Sequence, residues 1–296
     1  MASQRWTRLI RFLAPDGQVY HGQPILKSGH FPKDISGLKA NVIVGDIYTD
    51  AKVTERVVQV EKLLAPIVPT IFRCIGLNYR KHAAETKMEL PNYPILFIKP
   101  PSSIQGPNAP VMVPSIATNN QIDYEAELAV VIGRKARNVT REKALEYVLG
   151  YTCANDISAR KWQGKKLGSG QWCFSKGFDT FCPLGPQLVS PHVIPDPNAL
   201  AIRTRLNGRT MQDSNTSDMI FDVPHLISFL SQGTTLQPGD VIVTGTPEGV
   251  GFTREPALYM QEGDEVEVEI EKIGTLMNRI EFEREGGVIV QEKSRL

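Results

Sequence analysis

The segment 124–132 constrains the fold most, because its apolar residues predict one long strand that ends at Gly133. Shorter apolar segments with strand character lie on both sides of it, and few long helical patterns separate them. The predicted strands cover residues 8–12, 43–47, 71–75, 95–98, 148–156, 200–206, 241–244 and 266–270. Many short strands and few long helices predict a β-rich α+β fold.

The chain is predicted to form two domains, a small one over residues 1–69 and a larger one over residues 70–296. Between them, residues 65–69 contain two prolines, which restrict the backbone as in a linker. In the first domain, residues 54–64 are predicted to be an amphipathic helix or part of one, because five aliphatic side chains recur there.

Charge and composition exclude several classes of protein. The 33 basic and 32 acidic side chains give a net charge of +1, so no nucleic-acid partner is indicated. No segment approaches the roughly 18 apolar residues that span a membrane. The 4 cysteines are widely spaced, which predicts reduced thiols and disfavours a structural zinc site.

The termini give a prediction of location. Arg5, Arg8 and Arg11 interrupt the first segment, so it does not have the apolar core of a signal peptide, and a cytoplasmic protein is predicted. The segment Ser294-Arg295-Leu296 resembles the S-K-L peroxisomal address, which makes a peroxisomal location the alternative. A charged, frayed terminus would explain the same three residues without any targeting.

Three carboxylates alternate along the strongest predicted strand. Because side chains at i and i+2 share a face, Asp123, Glu125 and Glu127 would point the same way and repel one another. A bound cation would relieve this repulsion. A solvent-facing strand or a basic residue on a neighbouring strand would also explain it, and the residues alone leave these alternatives open.

A further carboxylate, Asp156, ends the predicted strand 148–156, where an acidic side chain is commonly just a turn residue. If it joins the others, the ligands are all oxygen atoms, which suits Mg²⁺, Mn²⁺ or Ca²⁺ better than Zn²⁺. Three carboxylates would leave about three positions of an octahedral site for water and substrate.

A histidine and a glutamate are spaced as neighbours on a helix. His82 and Glu85 lie at i and i+3 in the predicted helix 79–88, so the carboxylate can orient the imidazole and raise its basicity. Such a pair is suited to general-base catalysis on water. An exposed polar pair on a surface helix is the alternative.

Other polar residues are candidates for substrate contacts. Lys176 lies between aromatic residues and is predicted to pair with a substrate carboxylate, with a solvent-exposed ammonium as the alternative. Arg160 and Gln163 follow Asp156 closely along the chain. Gly245 and Thr246 begin a glycine-rich loop that matches no nucleotide-binding motif but offers amides and a hydroxyl to an oxyanion.

Several of these segments occur together, in the same order, in a known family. The chain resembles the fumarylacetoacetate hydrolase family over residues 70–285. The shared motifs are Gly76-Leu77-Asn78-Tyr79 with His82 and Glu85, Phe97-Ile98-Lys99-Pro100, Asp123-Tyr124-Glu125-Ala126-Glu127-Leu128, Asn155-Asp156-Ile157-Ser158-Ala159-Arg160, Lys176-Gly177-Phe178-Asp179, Met219-Ile220-Phe221 and Thr244-Gly245-Thr246-Pro247-Glu248-Gly249-Val250-Gly251.

The resemblance implies a fold and a set of roles. The larger domain would be the family's β-rich roll, a mixed β-sandwich that is usually a homodimer. Glu125, Glu127 and Asp156 would hold Mg²⁺ or a similar ion, and Asp123 would play a structural role. His82 and Glu85 would form a water-activating dyad on a segment that closes over the substrate. Gln163, Lys176 and Thr246 would contact that substrate.

The resemblance also implies a reaction. Family substrates are small 2-oxo acids or 1,3-diketones, which a metal acting as a Lewis acid converts to a stabilised enolate. The presence of the dyad favours a metal-dependent hydrolase that cleaves a C–C bond in acylpyruvate-like acids. An oxaloacetate-type decarboxylase or a 2-hydroxy-dienoate isomerase remains an alternative on the same site. A non-catalytic, metal-dependent binding protein is the alternative from another class.

Overall fold

The computed structural model describes residues 6–27 and 29–284. The described chain is mostly β, with short helices between the strands, as the sequence predicts. The strands are β1 (Arg8–Leu13), β2 (Val19–Pro24), β3 (Lys39–Val44), β4 (Lys52–Gln59), β5 (Lys62–Leu64), β6 (Ile71–Gly76), β7 (Ile95–Lys99), β8 (Ile104–Gln105), β9 (Val111–Val113), β10 (Ile122–Asp123), β11 (Ala126–Ile132), β12 (Val148–Asn155), β13 (Ser158–Ala159), β14 (Cys182–Val189), β15 (Ala201–Leu206), β16 (Arg209–Asn215), β17 (Asp240–Val243), β18 (Glu265–Ile270) and β19 (Gly274–Phe282).

The helices are all short. The α-helices are α1 (Arg80–Glu85), α2 (Arg160–Gln163), α3 (Lys165–Gly168), α4 (Cys173–Lys176) and α5 (Val223–Leu230). The 3-10 helices are Pro101–Ser103, Ser115–Ala117, Arg141–Tyr147, Thr216–Asp218 and Gly251–Thr253. None of the helices in this described part of the chain has the length and hydropathy needed to cross a bilayer.

Two sheets form the body of the molecule. The larger sheet has the strand order β4-β3-β2-β1-β14-β12-β11-β17-β6-β7, with β5 added on β1 and β8 on β14. The second sheet has the order β16-β15-β18-β19-β9. Strands β11 and β12, at the centre of the larger sheet, are buried along their whole lengths. Their near-continuous apolar sequences follow from this burial on both faces.

The prediction of helix over residues 54–64 is wrong. This segment forms β4 and β5 instead, and Val57 and Val58 of β4 pair with Asn41 and Ala40 of β3. Branched side chains fit a paired strand well, and the pairing outweighs the helical spacing of the aliphatic residues.

The N-terminal strands are continuous with the rest of the molecule through β1. Arg8 and Leu9 pair with Val189 and Leu188 of β14, so the larger sheet extends from residues before 69 into residues after it. Trp6 and Leu9 are fully buried in the same apolar cluster as residues of β6, β11 and β14. The boundary at residues 69 and 70 stays a prediction, and Ser294-Arg295-Leu296 lies outside the described residues.

The segment predicted as one strand from residue 124 is interrupted at its start. Asp123 ends the short strand β10, which pairs with β13, and β11 begins only at Ala126. Tyr124 and Glu125 therefore lie in the irregular backbone between two sheets. The interruption between β10 and β11 places Glu125 at the end of the larger sheet, directly before β11.

Candidate metal centre and active site

The pairing of β11 with β12 brings two distant carboxylates together. Ala126 pairs with Asn155, so Glu125 and Asp156 lie side by side just beyond the paired residues. The backbone amide of Asp156 donates to the carbonyl oxygen of Glu125 at 2.9 Å. The spacing of these two residues along the chain does not show this contact, because the strand register creates it.

Glu125, Glu127 and Asp156 form a buried acidic cluster. Each offers one carboxylate oxygen, and these oxygens all lie within 4.8 Å of one another. The exposed fractions of the three residues are 6%, 1% and 0%. Within residues 6–27 and 29–284, no other trio of acidic, histidine or cysteine side chains is close enough to hold a metal ion.

Lys176 is bound to this cluster. Its ammonium donates to Glu125 Oε2 at 2.8 Å, to Asp156 Oδ2 at 2.7 Å and to Ser158 Oγ at 2.6 Å. Burial lowers the pKa of Lys176, but the carboxylates of Asp156 and Glu125 more than offset this, and the net pKa is raised. The lysine is therefore a fixed cation, and it orients two of the three acidic residues.

Arg160 links the cluster to Asp123. Its Nη1 lies 2.7 Å from Glu125 Oε1, and its Nε donates to Asp123 Oδ2 at 2.8 Å. Nη1 also donates to Gln163 Oε1 at 2.9 Å, and the guanidinium stacks on the ring of Phe252. The structure thus brings Arg160 and Gln163 beside the acidic cluster, as the predicted substrate contacts require.

Asp123 does not join the cluster of three. Its Oδ1 accepts the backbone amide of Gly251 at 2.7 Å, and its Oδ2 accepts that of Phe252 at 3.0 Å. It therefore connects Arg160 to the glycine-rich loop, which is a structural role.

Sequence reasoning missed Lys99 as a site residue. Its side chain is fully buried, and its ammonium donates to Asp156 Oδ1 at 2.5 Å and to the carbonyl oxygen of Phe181 at 2.6 Å. The two oxygens of Asp156 thus bind two different lysines. The sequence feature that could have identified it is the position of this lysine at the end of the apolar segment 95–98. A lysine buried at such a position needs an acidic or other polar partner.

The cluster suits a divalent cation. Burial raises the pKa of Glu125, yet Lys176 and Arg160 lower it to about 2. Burial, together with Asp156 and Glu125, holds the pKa of Glu127 well above its usual range. The cationic side chains of the protein therefore do not balance the negative charge of an ionised Glu127. A cation held by three carboxylate oxygens would supply that charge, and hard ions such as Mg²⁺ prefer oxygen ligands.

The histidine and the glutamate of the predicted dyad are in direct contact. His82 Nδ1 lies 2.9 Å from Glu85 Oε2 on helix α1, and His82 is 7% exposed. Burial raises the pKa of Glu85, but hydrogen bonds from His82, Thr253 and Gly249 lower it, and the net pKa is lowered. Glu85 is therefore an anion at neutral pH.

The glycine-rich loop contributes to the same region. The amide of Gly245 donates to Glu127 Oε2 at 2.5 Å, so this residue, a predicted substrate contact, holds a member of the acidic cluster. The hydroxyl of Thr246 accepts Gln212 Nε2 at 2.9 Å. Asn78 Nδ2 donates to the carbonyl oxygen of Thr244 at 2.7 Å and fastens the loop to the start of α1.

The chain matches a known protein family over most of its length. A family model described as "Fumarylacetoacetate (FAA) hydrolase C-terminal" matches residues 71–281. The chain belongs to the fumarylacetoacetate hydrolase family. Like its homologues in this family, it is an enzyme, and the resemblance found in the sequence is confirmed.

Relatives in the fumarylacetoacetate hydrolase family carry different activities in their names. The chain is 49% identical to an oxaloacetate tautomerase of Xenopus laevis, named as mitochondrial, over 74% of this chain and 68% of that protein. It is 42% identical to caffeoylpyruvate hydrolase of Neonothopanus nambi, over 95% of this chain and 96% of that protein. A 2-hydroxyhepta-2,4-diene-1,7-dioate isomerase structure from Mycobacterium marinum superimposes with a TM-score of 0.79 at 37% identity, covering 94% of this chain and 99% of that one.

The first prediction concerns Lys99. We expect Lys99→Met to lower the free energy of unfolding by about 3–5 kcal/mol, because it removes one partner of a buried ion pair. Urea denaturation would measure the change. Lys62→Met, at an exposed position of β5, is the control and should change stability by less than about 0.5 kcal/mol. A Lys99→Met protein as stable as the wild type would contradict this view of the cluster.

The second prediction concerns Glu127. In the absence of metal, Glu127→Gln should leave the melting temperature at pH 7 unchanged or higher, because it removes a buried charge that its neighbours repel. Saturating Mg²⁺, at about 100 times its Kd, should add about 2.7 kcal/mol of stability to the wild type and almost none to the variant. Differential scanning calorimetry with and without Mg²⁺ would measure both effects. Glu61→Gln, at an exposed position, should behave as wild type. A variant that keeps the full Mg²⁺ effect would exclude Glu127 as a ligand.

Proposed function

We propose that this protein is a divalent-metal-dependent hydrolase that cleaves a C–C bond in acylpyruvate-like 2-oxo or 1,3-diketo acids. The observation that carries the proposal is the contact of 2.9 Å between His82 Nδ1 and Glu85 Oε2. Glu85 also accepts the amide of Gly249, in the same glycine-rich loop whose Gly245 amide donates to Glu127 of the acidic cluster. Hydrolysis needs an activated water, and a histidine oriented by a carboxylate is suited to activate one. Caffeoylpyruvate hydrolase, a relative along nearly the whole chain, supports the same reaction class.

His82 would act as the general base. Because Nδ1 faces the anionic carboxylate of Glu85, the favoured tautomer has its proton on Nδ1 and leaves Nε2 as the acceptor. Once Nε2 takes a proton from water, Glu85 stabilises the imidazolium that forms. The resulting hydroxide would attack the distal carbonyl carbon and form the carboxyl group of one product. The bond from that carbon to the pyruvoyl part would break, its electron pair would form the enolate of pyruvate, and the proton taken up by His82 would be available for that enolate.

The acidic cluster would serve the other half of the substrate. A Mg²⁺ or Mn²⁺ ion held by Glu125, Glu127 and Asp156 would supply Lewis acidity at the 2-oxo acid. Lys176 and Lys99 would keep Asp156 in place through contacts with both of its oxygens. By holding that ion, these residues would allow the site to stabilise the negative charge that develops when the C–C bond breaks.

Polar groups around the cluster would orient the substrate. Thr246 Oγ accepts a hydrogen bond from Gln212, so its own proton is available for a substrate oxygen. Gln163 accepts from Arg160 through Oε1, which leaves its amide protons to donate to a substrate carboxylate.

A second candidate is tautomerisation or decarboxylation of an oxaloacetate-type acid. The relative of Xenopus laevis named oxaloacetate tautomerase, 49% identical, favours it. Dienoate isomerisation would use the same enolate chemistry, and the isomerase of similar fold supports that class. The alternative of a binding protein without catalysis is rejected, because the homologues in this family are enzymes.

The third prediction separates these reactions. His82→Ala should lower kcat for hydrolysis of acetylpyruvate at least about 100-fold, the usual contribution of a general base, and largely spare decarboxylation of oxaloacetate. Both reactions would be followed by ultraviolet absorbance with Mg²⁺ and with EDTA, and EDTA should abolish both. His192→Ala, at an exposed histidine, is the control and should retain wild-type rates. Equal loss of both activities in His82→Ala would contradict the proposed role of the dyad.

We also propose that the protein is a homodimer, as the family resemblance predicts. The edge strand β7 and the segment before it expose apolar side chains, with Tyr93 at 70%, Leu96 at 42% and Ile98 at 38%. Exposed apolar groups at a sheet edge favour association.

Light scattering should give twice the mass of the 32.8 kDa chain, and Leu96→Lys should lower the measured mass. Val57→Lys is the control on β4, and a wild-type mass of 32.8 kDa would contradict the proposal.

A further inference from the structure

Glu85 contacts more than His82. While its Oε2 faces His82, its Oε1 accepts the backbone amide of Gly249 at 3.0 Å and faces the hydroxyl of Thr253 at 2.9 Å. About a quarter of the Glu85 side chain is exposed, so packing alone does not fix its orientation. The contacts of Oε1 therefore decide where Oε2 points.

Thr253 directly follows two residues of the glycine-rich segment whose backbone amides are hydrogen-bonded to Asp123. The neighbouring amides of Gly251 and Phe252 both donate to Asp123, which is in turn bound by Arg160. Arg160 contacts Glu125 of the acidic cluster. A continuous series of polar contacts thus runs from the acidic cluster through this loop to the dyad.

The hydroxyl of Thr253 has one proton and two neighbouring acceptors. It lies 2.9 Å from Glu85 Oε1 and 2.9 Å from the carbonyl oxygen of Val250. The charged carboxylate is the stronger acceptor, since hydrogen bonds to ionised groups are roughly twice as strong as neutral ones. The proton therefore goes to Glu85.

We propose that Thr253 is a positioning residue for catalysis, which fixes the Glu85 carboxylate so that the proton of His82 stays on Nδ1 and Nε2 remains the base. The role rests on the hydrolase function proposed above. Without the hydroxyl, Glu85 can rotate towards solvent, and both tautomers of His82 become populated. The dyad would then be correctly arranged only part of the time, which lowers kcat and leaves KM nearly unchanged.

The kinetic test compares isosteric variants. Thr253→Val should lower kcat for acylpyruvate hydrolysis about tenfold, the scale of one hydrogen bond to a charged group, and change KM less than about twofold. Thr253→Ser keeps the hydroxyl and should restore most of kcat. Thr118→Val is a matched control, because Thr118 makes the same type of bond, from its hydroxyl to the carbonyl oxygen of Ser115, three residues earlier. Full activity of Thr253→Val, or failure of serine to restore it, would overturn the proposal.

A double-mutant cycle separates positioning from support of the loop. If Thr253 acts through Glu85, then Thr253→Val should cost nothing further in a Glu85→Ala protein. If the valine variant still loses about tenfold in that background, Thr253 acts on the loop and the proposal is wrong.

A spectroscopic test does not depend on activity. The protein has 5 histidines, so the ¹⁵N signals of His82 can be assigned as those missing in His82→Ala. We expect the wild type and Thr253→Ser to show protonated Nδ1, and Thr253→Val to show a mixture of tautomers. An unchanged spectrum in Thr253→Val would overturn the positioning role even where hydrolysis is confirmed. A changed spectrum in a protein that hydrolyses no acylpyruvate would instead reject the proposed function and keep the positioning of His82.

Discussion

The ammonium of Lys176 lies between Glu125 and Asp156 and holds both carboxylates within hydrogen-bond distance. The rest of the site depends on this contact, because acidic side chains buried so close together repel one another in a medium of low polarity. Lys99 and Arg160 complete the compensation from two other directions. The buried carboxylates are four, and the cations that contact them are three: Asp123, Glu125, Glu127 and Asp156 against Lys99, Arg160 and Lys176. The negative charge of Glu127 is the least balanced by these cations, and its pKa is raised. The cations therefore stabilise most of the buried negative charge, and the charge that remains attracts a further cation.

The sheets explain how such a cluster can be held. Its carboxylates lie next to the ends of β11 and β12, whose pairing is fixed by buried strands on both sides. A rigid scaffold is needed because small displacements of charged groups in a buried site change their interaction strongly. The irregular backbone at Tyr124 and Glu125 frees Glu125 from the alternation of the strand, so that it can reach both Lys176 and Arg160.

The two chemical parts of the site are built on different elements. The acidic cluster lies on the sheet, whereas the dyad lies on the short helix α1 and reaches the sheet through the glycine-rich loop. Relatives with similar chains have the names hydrolase, tautomerase and isomerase. In the proposed function, the cluster would serve any reaction through an enolate, and the dyad would add the activation of water. Substitutions near α1 would then change the activation of water and leave the contacts of Lys176 with Glu125 and Asp156 in place.

The sequence by itself determined the fold class and the family, and the resemblance to that family selected Glu125, Glu127 and Asp156 as the acidic residues of the site. Continuous apolar segments such as 126–132, and motifs in a fixed order, are properties of the chain that can be recognised without knowledge of distant contacts. It failed at residues 54–64, where strand pairing with β3 outweighs local helical spacing. Only the tertiary structure showed that the register of β11 and β12 brings Glu125 and Asp156 together, that Lys99 lies against Asp156, and that Thr253 faces Glu85. These contacts join residues 31, 57 and 168 positions apart, and strand register and loop packing decide them rather than any local pattern.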